Sequence, residues 1–358
     1  MSIVQTLLGS RALEALTSPH GVDRYLELVN PMWAAREVRA RIIEIDREVD
    51  VPGHPPVTTL TLQPTSTWAG HRAGQHVQLG VEINGARRTT RVFSVSSHEA
   101  GPGEPFTITL RANPDGVVSR FLATEATRGQ MVHLSQAEGD FVLPEHVPEH
   151  IIFISGGSGI TPVMSMLRTL QRRTHRGRIT FLHYAQSPEH QIFADELAEV
   201  ARSGYGVDVH LLHPELGDPA LSPAWLERLV PGYRDIPTWA CGPAGLINAV
   251  KGAYGDSEAL QVEFFQPPAR STGDAEGEIS FSRSGAVGEN TGATLLEQAE
   301  ALGLKPEFGC RMGICFSCTA TKKEGTVTNV LTGETSSLPD EDIRICVSAA
   351  EGDCTIDL

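Results

Sequence analysis

Nowhere in its 358 residues does the chain run apolar for the ~18 positions that a membrane-spanning helix requires, so no transmembrane segment is expected. The N-terminus lacks a charged stretch followed by a long apolar one, and no secretion signal is read there. Cysteine is sparse, at six, which excludes a disulfide-held scaffold and suits a reducing cytoplasm. Positive charge is in deficit. Against 44 Asp and Glu stand 29 Lys and Arg, a net charge of −15 that argues against nucleic acid as a partner. What remains is ordinary for a globular protein, 40% hydrophobic and 20% charged, at a length that suits two or three domains. The acidity is uneven: from Gly277 onward, 13 Asp and Glu meet six Lys and Arg. Such a surface could steer a basic partner, or serve solubility alone.

The few cysteines are not scattered. Cys310, Cys315 and Cys318 stand at C-x4-C-x2-C spacing, and Cys346 follows after 27 residues. That is the plant-type ligand pattern for a [2Fe–2S] cluster. A loop this short brings three sulfurs to one small cluster only by curling around it, and Gly309 and Gly313 permit that path. Structural zinc is the alternative, but zinc sites usually use two short knuckles, and only Cys315 and Cys318 make one. Cys354 lies outside the pattern and reads as a core or surface thiol.

Residues 1–36 carry helical signals without chemistry. Val4, Leu7, Leu8, Leu13 and Leu16 are loosely helical in spacing, and Tyr25, Leu26, Leu28 and Val29 predict a second short helix packed on the next domain. Residues 37–146 read as an antiparallel β-barrel, with strands at Arg39–Val49, Val57–Gln63, His76–Ile83 and Phe106–Arg111 and a hairpin signal at Asn84-Gly85. Within it, Arg91-Val92-Phe93-Ser94 combines a fork for a diphosphate, an aromatic face for a planar ring and a hydroxyl for a ring nitrogen. Gly116-Val-Val118-Ser119 then opens a helix, whose N-terminal N–H groups bind anions. An ordinary strand with an exposed arginine would look the same. Only the pairing of the two segments points to a flavin seat.

Residues 147–265 alternate strands with helices, which implies an α/β doubly wound parallel sheet with its ligand at the carboxyl ends of the strands. The first strand runs into Ser155-Gly156-Gly157-Ser158-Gly159-Ile160-Thr161-Pro162, where a dinucleotide pyrophosphate would lie on the following helix; Thr161 is the expected N-cap. Cys241-Gly242-Pro243 ends a later strand of the same sheet, and Cys241 is either a small core residue or a soft group near a nicotinamide ring. Residues 266–277 form a linker by composition. From 278 to 358 a strand, one helix opened by a capping box at Thr294–Glu297, and the cysteine loop suit a compact electron carrier. Leu295, Leu296, Ala299 and Leu302 are expected on the buried face of that helix.

In this order the motifs resemble the ferredoxin–NADP⁺ reductase superfamily, followed by a plant-type ferredoxin domain of β-grasp fold, over about residues 37–358. The resemblance implies FAD, a [2Fe–2S] cluster held by the four cysteines, and NADPH or NADH. FMN is a minor variant, since two phosphate-binding segments are present. By the resemblance, Gln75, Arg91, Val92, Phe93, Ser94, Arg111, Gly116, Val118 and Ser119 line the flavin site. Gly156–Thr161 and Cys241–Pro243 receive the nicotinamide dinucleotide, with Ser94, Thr161 and Cys241 at the reacting centre, and Phe265 shields the flavin ring. Relatives often carry Arg after the position of Tyr184. Here Ala185-Gln186-Ser187 stands instead, which leaves NADH against NADPH open.

The order flavin, nicotinamide, ferredoxin is that of reductases serving oxygenases and desaturases. Ser18–Tyr25 and the cluster loop look most like electron-transfer partners of membrane di-iron acyl-CoA desaturases. The implied route is hydride to flavin, single electrons to the cluster, then an external oxygenase or desaturase. The implied location is cytoplasmic, at the membrane only through such a partner. Two rivals stand beside it: a diaphorase without a dedicated partner, and a zinc-stabilised binding protein without redox chemistry.

Overall fold

The computed structural model describes residues 22–83, 88–114, 116–204, 206–264, 275–309, 311, 313 and 316–358. The helix expected around Val4–Leu16, the Asn84-Gly85 turn, most of the linker, Phe265, Cys310 and Cys315 lie outside them. Two compact units form: Met1–Gly242 with Val250–Glu263, and Pro243–Ala249 with Phe264–Leu358.

The first unit opens with helix α1 (Val22–Val29), whose polar side ties it to residues 35–39. The Asp23 carboxylate accepts N–H bonds from Ala35 at 2.6 Å and Arg36 at 3.2 Å, and Glu27 pairs with the buried Arg39 at 3.2 Å. Asp23 and Glu27 lie one turn apart, so one helix face carries both anchors. Leu28 and Val29 are more than 70% exposed. The expected apolar packing is therefore reversed: backbone N–H groups and a buried guanidinium need acceptors, and that requirement orients the helix.

Six antiparallel strands come next: β1 (Val38–Val49), β2 (Val57–Pro64), β3 (His76–Val81), β4 (Thr89–Ser94), β5 (Phe106–Arg111) and β6 (Met131–Leu134), in the order β4-β3-β6-β1-β2-β5. A bridge between Val95 and Ile108 joins the outer strands and closes the barrel. Its core takes one face of each strand, with Trp68 stacked on Phe106 at 4.8 Å. Helix α2 (Val117–Thr124) covers one end with Val118 and Leu122 buried.

The second layer is a five-stranded sheet with the order β11-β10-β7-β8-β9, built from β7 (His150–Gly156), β8 (Arg178–Tyr184), β9 (Val207–Leu212), β10 (Thr238–Gly242) and β11 (Leu260–Phe264). β10, β7, β8 and β9 run parallel. Helices α3 (Ile160–Arg172), α4 (Ala194–Arg202), α5 (Pro223–Leu229) and α6 (Ala244–Tyr254) connect the strands. β7 is buried from Ile151 to Gly156, as a strand covered on both faces must be.

Helix α3 joins this sheet to the barrel. Ser165 Oγ donates to the Ser97 carbonyl at 2.6 Å, and Arg168 Nη1 to the Ser96 carbonyl at 2.6 Å. Thr169 Oγ1 accepts from the Glu99 N–H at 2.9 Å, and Arg172 meets His98 at 2.6 Å. Positions 165, 168, 169 and 172 form one helical stripe, and 96–99 is the segment directly after β4. Glu196 of α4 holds Arg168 in a two-pronged pair at 2.8 and 2.5 Å.

The second unit contains a mixed sheet of β-grasp type: β12 (Glu278–Phe281), β13 (Ala286–Glu289), β14 (Thr319–Asn329), β15 (Thr335–Ser336), β16 (Glu341–Arg344) and β17 (Ser348–Asp357). Helix α7 (Leu295–Ala301) lies against it, opened by the expected capping box of Thr294 and Glu297. Leu295, Leu296 and Ala299 are buried, but Leu302 is 40% exposed. The helix ends one residue before Leu302, which therefore leaves the buried stripe.

The stripe on α3 yields a first prediction. Replacing Arg168 with Met removes charged hydrogen bonds to Ser96 and Glu196, and should destabilise the fold by about 2–3 kcal/mol. In urea this is a lower midpoint at unchanged slope. An unmoved midpoint would show that the clamp contributes nothing.

Candidate active site and cluster site

The carboxyl ends of β7 and β10 make the first part of the site. β7 ends at Gly156, Gly157–Gly159 form a single 3-10 turn, and α3 starts at Ile160. Gly157 has φ of 54° with open space where a Cβ would stand, whereas a Cβ on Gly159 would strike the Cys241 carbonyl and lie 2.6 Å from Gly242 Cα. The glycine loop and the Cys241-Gly242 turn thus touch backbone to backbone, as two motifs sharing one crevice must. One detail differs. Thr161 is not the N-cap; it lies inside α3 and donates to the Ser158 carbonyl at 3.0 Å, because the 3-10 turn starts the helix early. The Ile160 N–H is taken by the Gly157 and Ser158 carbonyls, so the anion-facing end is the Gly157–Gly159 turn itself, which carries no bulky side chain and fits a pyrophosphate.

β11 brings a residue that sequence reasoning missed. Glu263 is half-buried, with its carboxyl turned from solvent and pushed up to about 8 by loss of water, and Oε1 stands 3.8 Å from His76 Nδ1 on β3. At neutral pH it holds its proton, so this contact is dipolar rather than an ion pair. Cys241 is fully enclosed, and burial with Glu263 nearby holds the thiol well above its usual range. It is a neutral SH, not a nucleophile. The only signal for Glu263 was an acid between Val262 and Phe264 in a short strand. His183, paired with Ser155 across β7 and β8, bonds its Oγ at 2.8 Å; burial first, then His213 and Arg111, lower it to about 3.

The expected flavin residues line the barrel's edge. Arg91, Val92 and Phe93 on β4 are half-buried, Phe93 packs on the core, and Ser94 is buried opposite His76. Gln75 Oε1 accepts from the Arg72 N–H, and its carbonyl from Val95 N–H. Gly116 caps α2, where a Cβ would stand 2.7 Å from Ser119 Oγ, and that hydroxyl accepts from the Asn113 N–H at 3.2 Å. Burial lowers Arg111. A guanidinium, an aromatic face and an uncrowded helix N-terminus on one edge fit a flavin with its phosphates.

In the second unit Cys318 and Cys346 are 3% and 2% exposed, and adjacent backbone joins them, with Ile345 N–H donating to the Cys318 carbonyl. The loop before Cys318 takes left-handed backbone at Arg311, Gly313 and Phe316, the curl that the spacing demands. A Cβ on Gly313 would lie 2.8 Å from the Val347 side chain. Two soft donors in a dry site beside a tightly curled loop fit an iron–sulfur cluster. Cys354 sits in the core of this unit, away from that role.

Two outcomes are expected. Gly159→Ala puts a methyl into backbone that cannot yield, so dinucleotide binding should weaken, with about 1–3 kcal/mol lost in stability; titration calorimetry with NADH and NADPH reads the first effect. The folded apoprotein keeps the Glu263 proton up to about pH 8, while the unfolded chain releases it near 4.5. Its stability contribution is therefore full below about pH 4.5 and lost as pH rises through about 8. Glu263→Gln should flatten that decline in pH-dependent denaturation; an equal slope would place the proton elsewhere.

The oxidoreductase NAD-binding domain family matches residues 153–252, and the 2Fe-2S iron-sulfur cluster binding domain family matches residues 283–351. An NADPH oxidoreductase of Mycobacterium tuberculosis strain H37Rv is 36% identical over 96% of this chain and 90% of its own. The glycine betaine monooxygenase reductase subunit of Pseudomonas aeruginosa is 28% identical over 80% of this chain and 87% of its own. Among solved structures, phthalate dioxygenase reductase superposes with a TM-score of 0.58 at 23% identity, covering 89% of this chain and 97% of that one. The chain belongs to the ferredoxin–NADP⁺ reductase superfamily, in the branch that carries a C-terminal [2Fe–2S] ferredoxin domain.

Proposed function

We propose that this chain is an NAD(P)H-dependent reductase that holds FAD and a [2Fe–2S] cluster and supplies electrons to an external oxygenase or acyl desaturase. The observation that carries the reading is the double engagement of α3. Its N-terminus follows the glycine loop, and its side holds the residues directly after Arg91–Ser94. This supports a nicotinamide and a flavin seat held on one element, the arrangement hydride transfer needs.

The bound groups supply hydride acceptance and the division of an electron pair into single electrons. The chain's residues bind and orient. Arg91, with the N–H groups at Gly116–Ser119, would hold the flavin phosphates, and Phe93 and Ser94 its ring. Gly156–Gly159 with Ile160 would carry the dinucleotide pyrophosphate, with Thr161 and the Cys241–Pro243 turn at the nicotinamide. The neutral Cys241 thiol offers no competing nucleophile. Cys318 and Cys346, with Cys310 and Cys315, would ligate the cluster. Division at 37–146, 147–265 and 278–358 gives each group its own segment.

An oxygenase as acceptor is supported by the reductase subunits among the relatives. A membrane desaturase rests on the likeness of Ser18–Tyr25 and of the cluster loop, and would bring the protein to the membrane through its partner. No helix among the described residues is long and apolar enough to cross one.

The purified protein should show flavin bands with a broad iron–sulfur shoulder, both bleaching anaerobically on addition of NADH or NADPH. The nucleotide that bleaches at lower concentration is the preferred donor. Flavin bands alone would overturn the cluster, and a colourless protein with full zinc would overturn the redox reading.

A further inference from the structure

Arg344 ends β16 two residues before Cys346, and its side chain reaches the cluster loop. Nη1 donates to the Gly313 carbonyl, and the guanidinium carbon lies 4.9 Å from the centre of the Phe316 ring. Gly313 and Phe316 bracket Cys315, so one side chain grips the loop on both sides of an expected ligand. The grip has something to resist. Phe316 has φ of 57° and is 64% exposed, a backbone region that strains an L-residue and persists only where its surroundings impose it.

Charge separates Arg344 from the loop's other arginine. Arg311 lies over the Phe308 ring at 3.9 Å and is neutralised by Glu300. The carboxylates on Arg344's own strand are engaged elsewhere, Glu341 with Lys322 and Ser336, Asp342 with Thr321. Its guanidinium thus meets the loop with no carboxylate paired to it among the described residues.

We propose that Arg344 is a positioning residue that locks the cluster loop through Gly313 and Phe316 and, by its charge, raises the reduction potential of the cluster. This rests on the reading of the four cysteines as cluster ligands. Reduction adds an electron to the cluster, so a nearby fixed cation favours the reduced form, and hydrogen bonds and charge around the sulfurs are the protein's levers on potential.

The experiment uses the full chain with its cofactors. Iron and sulfide content and the electron paramagnetic resonance signal of the reduced parent test the cluster reading by themselves; a parent without iron overturns that reading and this proposal with it. Midpoint potentials are then measured by resonance-monitored titration for Arg344→Gln and Arg344→Lys, with visible circular dichroism of the cluster. Arg344→Gln should disfavour the reduced cluster about tenfold, a fall of about 59 mV for a one-electron couple. Arg344→Lys keeps the charge but not the planar stacking, and should restore the potential while changing the dichroism. A parent-like potential in Arg344→Gln, or a shift in Arg344→Lys as large as in Arg344→Gln, overturns the proposal. Should Arg344→Gln fail to hold a cluster, Arg344→Lys decides: a parent-like potential upholds the proposal and loss of the cluster overturns it.

Discussion

Helix α3 has to satisfy two demands at once. It must continue directly from the Gly157–Gly159 turn, and its stripe of Ser165, Arg168, Thr169 and Arg172 must meet the segment after β4. Those polar groups are mostly buried and would cost heavily if left unmade. The hydrogen bonds therefore fix the helix in register against the barrel. Glycines make the fit possible. A Cβ on Gly74 would strike the Phe141 carbonyl and crowd Met166 of α3, and one on Gly159 would strike Cys241. One helix thereby touches both the stretch proposed to seat the nicotinamide dinucleotide and the segment that follows the proposed flavin strand.

The electrostatics around that helix are quiet. Glu263 keeps its proton, Cys241 stays a thiol, and His183 stays neutral, each through loss of solvent. A site in which cofactors carry the chemistry needs no ionised acid–base pair; it needs a dry place that holds rings and phosphates in position. At the cluster loop the situation is reversed. Arg311 and Arg344 are charged and committed, one to a carboxylate and both to aromatic faces. There the proposed task of Arg344 is to hold the left-handed backbone beside the ligands and to set how readily the cluster accepts an electron.

Much of this was legible in the chain. The cysteine spacing, the Ser155–Pro162 glycine run, the alternation of strands and helices after residue 147 and the Thr294–Glu297 capping box each carry a local rule, and local rules survive folding. The four barrel strands expected from the sequence appear within two residues of their bounds. Where the reading failed, the deciding partner lay far along the chain or in the exact start or end of a helix. Thr161 looks like an N-cap until the 3-10 turn before it starts α3 early. Leu302 fits the buried stripe of α7 until the helix stops one residue short of it.

By itself, the sequence determined which chemistry the chain can host, because ligand type and spacing follow from the shape of the bound group. It also determined the order of the segments that host it. Only the tertiary structure decided that Glu263 meets His76, that the stripe on α3 meets the end of β4, and that α1 turns its acids inward and Leu28 outward. The protonation of Glu263 belongs to the same class. A carboxyl's charge depends on how much water reaches it, and water is removed by elements that approach from elsewhere in the chain.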